Sequence, residues 1–272
     1  MGPTQLLDDL LGDLDAESAD LDALVAGLDE HGWRTPTQAP GWTVAHQVAH
    51  LAWTDDVALL AATHPDAFAA RLRDLVGDGD PTTVVDRTAD AGAQRPAVDL
   101  LAGWRAGRAA LADALRALPP VVRLPWFGPP MAPASMATAR LMETWAHGQD
   151  VADALGAVRA PTARLRHVAR LAVRTRGFAF GLHRRPVPAA DFRVELTAPD
   201  GGTWAFGPPD AAQRVTGPAL DLCLLAVRRR HRADTALVAA GADADTWLDV
   251  VQAFAGPPGP GRAPAPVRGG GT

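Results

Sequence analysis

The feature that most restricts the fold is one helical segment in which an acidic and a basic side chain both face the protein interior. The stretch LMETWAHGQDVADAL, within residues 133–155, repeats apolar residues at helical spacing and places Glu143 four residues before His147. Residues at i and i+4 lie on the same helical face, one turn apart. A carboxylate facing an apolar interior is costly unless it is paired or bound to a metal. The pair therefore predicts either a structural Glu–His ion pair or one side of a metal site.

A third ligand would have to come from another helix, and the stretch WTVAHQVAHLAW offers two histidines. His50 is surrounded by apolar residues, so we expect it to point toward the interior. His46 lies four residues earlier on the same face. It could be a fourth ligand, a partner of a ligand, or a catalytic acid or base in the pocket. We favour the last two, because three protein ligands with an open position are typical of a catalytic zinc site.

A further carboxylate, Asp150, follows His147 by three residues. It could orient an imidazole by accepting a hydrogen bond from the ring nitrogen that does not face the metal, in the second coordination shell. A solvated carboxylate is the alternative.

The apolar pattern predicts four long helices in the first half of the chain. Apolar residues recur at three- and four-residue intervals in all four, over residues 4–30, 43–64, 96–118 and 133–155. The segment 66–76 extends the second helix after a bend at Pro65, and 77–83 is expected to be a loop. Four long helices joined by loops of moderate length predict a helical bundle.

The second half predicts a smaller mixed domain. Apolar and polar residues alternate on both sides of Asp-Gly-Gly at 200–202, which indicates a β-hairpin. Helices are predicted over 164–183, 215–232 and 244–256, with a short strand or loop at 237–241. The fold class is thus α+β: a bundle domain at 1–157, an α+β domain at 158–257 and a disordered, proline- and glycine-rich tail at 258–272.

Composition limits the function. A chain of 272 residues with a net charge of −5 lacks the concentrated basic surface that nucleic-acid binding requires. No run approaches the roughly 18 apolar residues of a membrane span, and the acidic N-terminus does not resemble a secretory signal. We therefore expect a cytoplasmic protein that binds neither nucleic acid nor membrane. The single cysteine, Cys223, lies in the apolar run LDLCLLAV and is expected to be buried and not catalytic.

Two segments together carry a family resemblance. GWTVAHQVAHLAW followed by METWAHGQDVADALG resembles the DinB-like bundle of the mycothiol-dependent maleylpyruvate isomerase family, and VTGPALDLCLLAVRRRH resembles the second domain of that family. The likeness extends to about residue 262. It implies a DinB-like four-helix bundle with a zinc ion held by His50, Glu143 and His147, and mycothiol as cosubstrate. His46 and the long segment 194–219 suggest a distinct actinobacterial metal-binding branch, in which metal binding carries over better than isomerase activity does.

The implied chemistry is coherent with the residues present. A zinc ion with three protein ligands leaves a position for an external thiol, whose pKa falls on coordination so that it binds as thiolate. Such a nucleophile could isomerise a double bond or form a thioether. We expect a mycothiol-dependent isomerase or S-transferase that acts on a small electrophilic substrate, as a monomer or homodimer. The alternatives are a metal-dependent hydrolase that uses activated water and a non-enzymatic protein that binds a small molecule or lipid.

An arginine run offers a substrate-binding side chain. Arginine holds carboxylates in a bidentate fork, and the run Arg228–Arg230 matches one from which the family's second domain lends an arginine to the active site. Arg229 is the residue that we choose from this run. Arginines that simply cap a helix C-terminus are the alternative, and Arg105 and Arg108 are weaker candidates for substrate binding.

Overall fold

The structure is a computed structural model and describes residues 2–77, 83–257, 259 and 261–266. The chain forms two compact units, Met1–Arg159 and Ala160–Thr272. The domain limits predicted from the sequence, 1–157 and 158–257, stay a prediction, because compactness alone does not show that either part folds independently. The tail predicted to be disordered, 258–272, includes residues 258, 260 and 267–272, which lie outside the described part of the chain.

The first unit is helical throughout its described residues. Its helices are α1 Pro3–Val25, α2 Glu30–Trp33, α3 Val44–Thr63, α4 Pro65–Gly77, α5 Val84–Ala93, α6 Ala97–Ala117 and α7 Pro133–Leu155. The four long helices of the predicted bundle are thus α1, α3, α6 and α7. The expected continuation after the bend at Pro65 is α4, whereas α2 and α5 were not predicted and the helix expected over 4–30 ends at Val25. Part of the loop predicted at 77–83, residues 78–82, lies outside the described residues.

Helix α3 is the central element of this unit. It packs against α5, α6 and α7, and α1 packs against α7. Buried side chains of these helices form the core, with Leu51 of α3, Trp104 of α6 and Val151 of α7 in one apolar cluster. Helix α5 approaches α3 closely at Gly92, where an added Cβ would lie 2.6 Å from the Cβ of Ala49. This packing places one face of α3 beside one face of α7.

The ends of α3 and α7 are set by local sequence. Thr43 caps α3 through a capping box in which the N3 residue, His46, accepts from the Thr43 backbone N–H. Helix α7 begins with Pro133 at its first turn and stops at Gly156, which adopts a left-handed conformation with φ 67°. The predicted start and stop of both helices are confirmed.

The second unit combines helices with a four-stranded sheet in its described residues. Its elements are α8 Leu165–Arg174, α9 Arg176–Leu182, β1 Phe192–Thr197, β2 Thr203–Phe206, β3 Gln213–Pro218, α10 Ala219–Ala226, β4 Val238–Ala240 and α11 Ala242–Val250. The strand order is β2-β1-β3-β4. The predicted hairpin is β1–β2, with Val194 opposite Phe206. Strand β3 pairs parallel to β1 and antiparallel to β4.

Three helix predictions in this unit need correction, and the simplest case is the helix expected over 244–256, which ends at Val250. The segment 215–232 was expected to be one helix, but its first residues form β3 and its last residues follow the short helix α10. Val215 and Thr216 are β-branched, and Gly217 has φ 142°, so this part favours a strand. The helix predicted over 164–183 is divided at Thr175, whose hydroxyl donates to the Gln252 carbonyl at 2.8 Å. The predicted α+β fold class is nevertheless confirmed.

No helix among the described residues is both long enough and apolar enough to cross a membrane.

Candidate metal centre

The three residues predicted as ligands converge in the first unit. His50 projects from α3, and Glu143 and His147 project from the facing side of α7, one turn apart. Nε2 of His147 lies 3.2 Å from Oε2 of Glu143, and Nε2 of His50 lies 3.8 Å from the same oxygen. One ligand atom from each residue lies within 4.8 Å of the other two. The packing of α3 against α7 therefore brings together residues that are about ninety positions apart in sequence.

The geometry and chemistry of this cluster fit a divalent cation. Zinc lies roughly 2.0–2.2 Å from histidine nitrogen and carboxylate oxygen, so two ligand atoms of a tetrahedral ion are about 3.3–3.6 Å apart. The two distances to Glu143 lie close to that range. Two imidazoles and one carboxylate form the type of donor set that holds catalytic zinc and leaves a fourth position open. These residues could therefore hold a divalent metal ion with little rearrangement.

Glu143 supplies the negative charge of the cluster. Its side chain is 23% exposed. Burial alone would raise the pKa of Glu143, but hydrogen bonds and charge interactions with His147 and His50 outweigh that effect and hold the pKa well below its ordinary value. The carboxylate is therefore ionised at neutral pH, which is the form that binds a metal.

A chain of hydrogen bonds behind the cluster fixes the orientation of His147. Nδ1 of His147 lies 2.5 Å from Oε1 of Gln47, Nε2 of Gln47 donates to the Thr37 hydroxyl at 2.9 Å, and that hydroxyl donates to the Trp42 carbonyl at 3.0 Å. A carbonyl can only accept, so the hydroxyl hydrogen of Thr37 points to Trp42 and its oxygen accepts from Gln47. Gln47 then presents its carbonyl to His147. It follows that Nδ1 of His147 carries a hydrogen, and that Nε2 is the nitrogen that faces Glu143 and would bind a metal through its lone pair.

An indole covers the two imidazoles. The ring of Trp42 stacks on His147 with centroids 6.0 Å apart and planes 19° apart, and its centroid lies 5.5 Å from that of His50. Nε1 of Trp42 donates to Asp86 of α5 at 3.0 Å, which holds the ring in place. Trp53 lies beyond, 6.3 Å from His50. The aromatic rings shield one side of the cluster from water.

His46 is placed differently from the three clustered residues. Its Nδ1 accepts from the Thr43 backbone N–H at 3.2 Å, and its Nε2 lies 3.0 Å from Oδ1 of Asp90. Both ring nitrogens thus serve the start of α3 and its contact with α5. Among the described residues, the group of side chains that could share a metal comprises His50, Glu143 and His147. A catalytic role for His46 stays a prediction.

The other predicted site residues are located as follows. Asp150 is buried on α7, but the acceptor at Nδ1 of His147 is Gln47, so the orienting role that we expected from Asp150 stays a prediction. Arg229 follows α10 in the second unit, where its Nη1 donates to the Val227 carbonyl at 2.7 Å; substrate binding by Arg229 also stays a prediction. Cys223 is fully buried, and burial raises the pKa of its thiol far above the ordinary value, so no nucleophilic thiolate is available there.

Gln47 is the residue of this site that sequence reasoning missed. A glutamine at 0% exposure on an apolar helix, three residues before His50, is a signal that could have found it, because a buried amide needs partners. The identity of those partners depends on the irregular segment before α3, which has no periodicity to interpret.

Comparison with known proteins assigns the family. A family model described as the mycothiol maleylpyruvate isomerase N-terminal domain matches residues 14–152, which is about half of the chain and includes all three clustered residues. This chain belongs to that family. The resemblance inferred from the two helical segments is therefore confirmed. A second family model, described as wyosine base formation, matches residues 188–240 in the second unit.

Relatives and solved structures support the same assignment. Two proteins from two strains of Mycobacterium tuberculosis, both described as uncharacterized, are 53% identical over 252 residues, covering 93% of this chain and 97% of theirs. A crystal structure of the mycothiol-dependent maleylpyruvate isomerase matches with a TM-score of 0.57 and 16% identity, over 86% of this chain and 92% of that one. A histidine-to-alanine mutant of that enzyme matches equally well, at 15% identity. At this identity the two structures show a shared fold.

Proposed function

We propose that this protein is a metal-dependent enzyme that activates a low-molecular-weight thiol, mycothiol, for isomerisation of, or addition to, a small electrophilic substrate. The observation that carries the proposal is the convergence of His50, Glu143 and His147 within 4.8 Å, in a chain of the mycothiol maleylpyruvate isomerase family. In this proposal the three side chains hold a divalent ion, and their donor set favours zinc. Bound zinc would lower the pKa of a coordinated thiol and supply it as a nucleophilic thiolate.

The side chains around the cluster suit an anionic thiol. Two neutral imidazoles and one carboxylate contribute a single negative charge, and the acceptor behind His147 is the neutral amide of Gln47. With a divalent cation the site would keep a net charge of +1, which one thiolate neutralises. Trp42 excludes water from one side, which strengthens electrostatic interactions inside the site.

The finer parts of the proposal rest on the family and on residue chemistry. Arg229 would hold a carboxylate of the substrate in a bidentate fork, and the reaction would be an isomerisation or an S-transfer. A cytoplasmic location, a monomeric or homodimeric state and the actinobacterial metal-binding branch stay predictions. A hydrolase remains the alternative enzyme, and binding of a small molecule or lipid the non-enzymatic one.

Metal analysis of purified variants tests the first step. Wild-type protein should contain about one equivalent of zinc, and His147→Ala should lose it. His64→Ala is a matched control, because His64 is an exposed histidine at the end of α3 and lies outside the cluster. Equal metal content in wild type and His147→Ala would contradict the assignment of the site.

Thermal stabilisation by mycothiol tests the second step. Mycothiol should raise the melting temperature of the zinc-loaded protein and have no effect on the metal-free protein. A stabilisation that is independent of metal, or that a lipid produces and mycothiol does not, would instead support the non-enzymatic binding protein.

A further inference from the structure

The second unit contains a cavity whose described lining comes from that unit alone. Its volume is about 460 Å³, within the range of roughly 300–1,000 Å³ that is typical of small-molecule pockets. Three leucines supply apolar wall. The described lining also contains four arginines, Arg228, Arg230, Arg232 and Arg262, and a single carboxylate, Asp249. The cavity is thus strongly cationic in its composition.

Two of these arginines are neutralised within the unit. Arg230 donates from Nη1 to Oδ1 of Asp221 at 2.5 Å. Arg232 donates from Nη1 to Asp249 at 2.5 Å and also pairs with Asp245. Their charges are therefore compensated before any ligand arrives.

Arg228 is compensated by no acid. Among the described residues no carboxylate lies within ion-pair distance of it, and its Nη2 donates to Nε2 of His183 at 3.2 Å. The ring that accepts this hydrogen bond is neutral; burial and then the positive charges of Arg228 and Arg185 lower the pKa of His183. Nε of Arg228 is buried and has no hydrogen-bond partner in the described part of the chain. The guanidinium charge of this cavity-lining residue thus remains uncompensated, and one of its donors has no partner in the described residues.

The backbone conformation at Arg228 is one that favours glycine, so the arginine side chain there is accompanied by backbone strain. Helix α10 ends in a Schellman motif, in which Arg228 N–H donates to the Leu225 carbonyl at 3.0 Å and Arg229 N–H donates to the Leu224 carbonyl at 2.8 Å. Arg228 occupies the left-handed position of this motif, with φ 62°. Glycine is the residue that this position favours, because any Cβ is strained there.

Helix α9 ends in the same motif and provides an internal comparison. Arg184 occupies its left-handed position, with φ 53°, and its N–H donates to the Gly181 carbonyl at 2.9 Å. Arg184 is exposed and does not line the cavity. The two arginines therefore share the backbone strain, and only Arg228 presents its guanidinium to an enclosed space.

We propose that this cavity is a binding site for a small oxyanion, a carboxylate or a phosphate group, with Arg228 as its anchor. An oxyanion would supply the missing negative charge, and a bidentate fork is the geometry in which a guanidinium holds a carboxylate or phosphate. The leucines of the wall would contact the apolar part of the ligand. The proposal rests on residues of the second unit alone and does not depend on the metal centre or on the proposed thiol chemistry.

Thermal denaturation of the full chain tests the proposal. The protein is made metal-free and the chelator is removed, so that neither the metal centre nor the chelator contributes anion binding. Inorganic phosphate and succinate are titrated separately, with sodium chloride at equal ionic strength as the reference. We expect a saturable rise in melting temperature with one or both oxyanions, and the two arms distinguish phosphate from carboxylate.

Two glycine variants separate binding from backbone strain. Arg184→Gly and Arg228→Gly should each raise the melting temperature without ligand, by about 2–4 °C, because both relieve a left-handed residue. Arg184→Gly should keep the wild-type response to oxyanions, and Arg228→Gly should bind them at least tenfold more weakly. Arg228→Gln, which keeps a side chain and removes the charge, should show the same loss.

The proposal would be overturned by either of two results. One is a wild-type response to phosphate and succinate no greater than that to sodium chloride. The other is an equal oxyanion response in wild type and Arg228→Gly. Neither result depends on zinc or mycothiol, so the test of the metal centre remains separate.

Discussion

Two arginines removed from solvent, one in each unit, are compensated in opposite ways. The side chain of Arg140 on α7 is 2% exposed, and its Nε donates to Oδ1 of Asp55 on α3 at 2.8 Å. Arg228 is partly buried and donates to the neutral ring of His183. Each leaves one buried nitrogen without a partner among the described residues, Nη2 of Arg140 and Nε of Arg228. The two therefore differ in charge compensation and not in the number of unmet donors.

This difference separates a structural charge from one that can respond to a ligand. Between α3 and α7, Asp55 compensates Arg140, and the amide of Gln47 meets the ring of His147. In this polar layer, formed by Asp55, Arg140, Gln47 and His147, the charge of Arg140 is compensated without any added anion. At the cavity of the second unit, the described residues offer Arg228 no acid, so its charge is left for a ligand to neutralise. A buried charge that loses its partner destabilises a fold strongly, so a charge that the fold retains without a partner indicates a binding site.

The largest effect should follow from removing the counter-charge of Arg140, so that it is as uncompensated as Arg228. Asp55→Ala leaves Arg140 buried with no counter-charge, and we expect a loss of about 3–5 kcal/mol in the free energy of unfolding. Urea denaturation with an unchanged m-value measures it. The double variant Asp55→Leu, Arg140→Met should recover most of the loss, because it replaces the pair with apolar groups. A loss below about 1 kcal/mol in Asp55→Ala would show that water already compensates Arg140.

An intermediate effect should follow from removing the side-chain amide of Gln47. Gln47→Leu removes the acceptor of the His147 ring, and we expect zinc affinity to fall about 10–100-fold, the usual effect of losing a group that orients a metal ligand. Competition with a chromogenic chelator measures the affinity. Thr37→Val should cause a smaller loss of zinc affinity. Gln47 remains in this variant, but its amide group is no longer held in one orientation by the Thr37 hydroxyl.

A control and a spectroscopic measurement make this prediction specific. Thr138→Val is the matched control on α7, because the Thr138 hydroxyl donates to the carbonyl of Ala134 in its own helix; its zinc affinity should be unchanged. Proton NMR of the metal-free protein should show the Nδ1 hydrogen of His147 in slow exchange with solvent in wild type and in faster exchange in Thr37→Val. Equal zinc affinity in wild type and Gln47→Leu would mean that the α7 backbone alone orients His147.

The sequence predicts the metal cluster better than it predicts the polar contacts around it. Helical periodicity fixes which face of α3 and of α7 is buried, and the i, i+4 spacing places Glu143 beside His147. These facts come from residues within one helix. The chain from Gln47 through Thr37 to the Trp42 carbonyl crosses an irregular segment, where no repeat determines the distances. For the same reason His46 was not recognised as part of a helix cap.

The cavity in the second unit could not be predicted, for a different reason. A glycine in the sequence normally predicts the left-handed residue at which a helix ends. This prediction is right for Gly156 at the end of α7. At the end of α10 that position is Arg228, and arginine is a good helix former. The pattern therefore predicts a helix that continues through the arginine run to residue 232. Without the turn at Arg228, the sequence gives no reason to place these arginines around a common space.

The smallest effect should appear in the titration of His183, and it tests directly whether Arg228 is uncompensated. Proton NMR should give a pKa below the ordinary value of about 6.5, because the ring is partly desolvated and lies beside Arg228 and Arg185. For a base with a lowered pKa in the folded state, the unfolded chain binds the proton first as pH falls. The stability that neutral His183 contributes is therefore present above about pH 6.5 and is lost as pH falls through the folded-state pKa.

Removing or neutralising the charge of Arg228 should raise this pKa. Arg228→Gly should raise it, and saturating phosphate should do so in wild type, because each lessens the positive potential at the ring. Neither should restore the full ordinary value, since burial is the larger cause of the shift and persists. Arg184→Gly should leave the titration unchanged. If the pKa of His183 were the same in wild type and Arg228→Gly, the charge of Arg228 would have to be screened already, and the contrast with Arg140 would disappear.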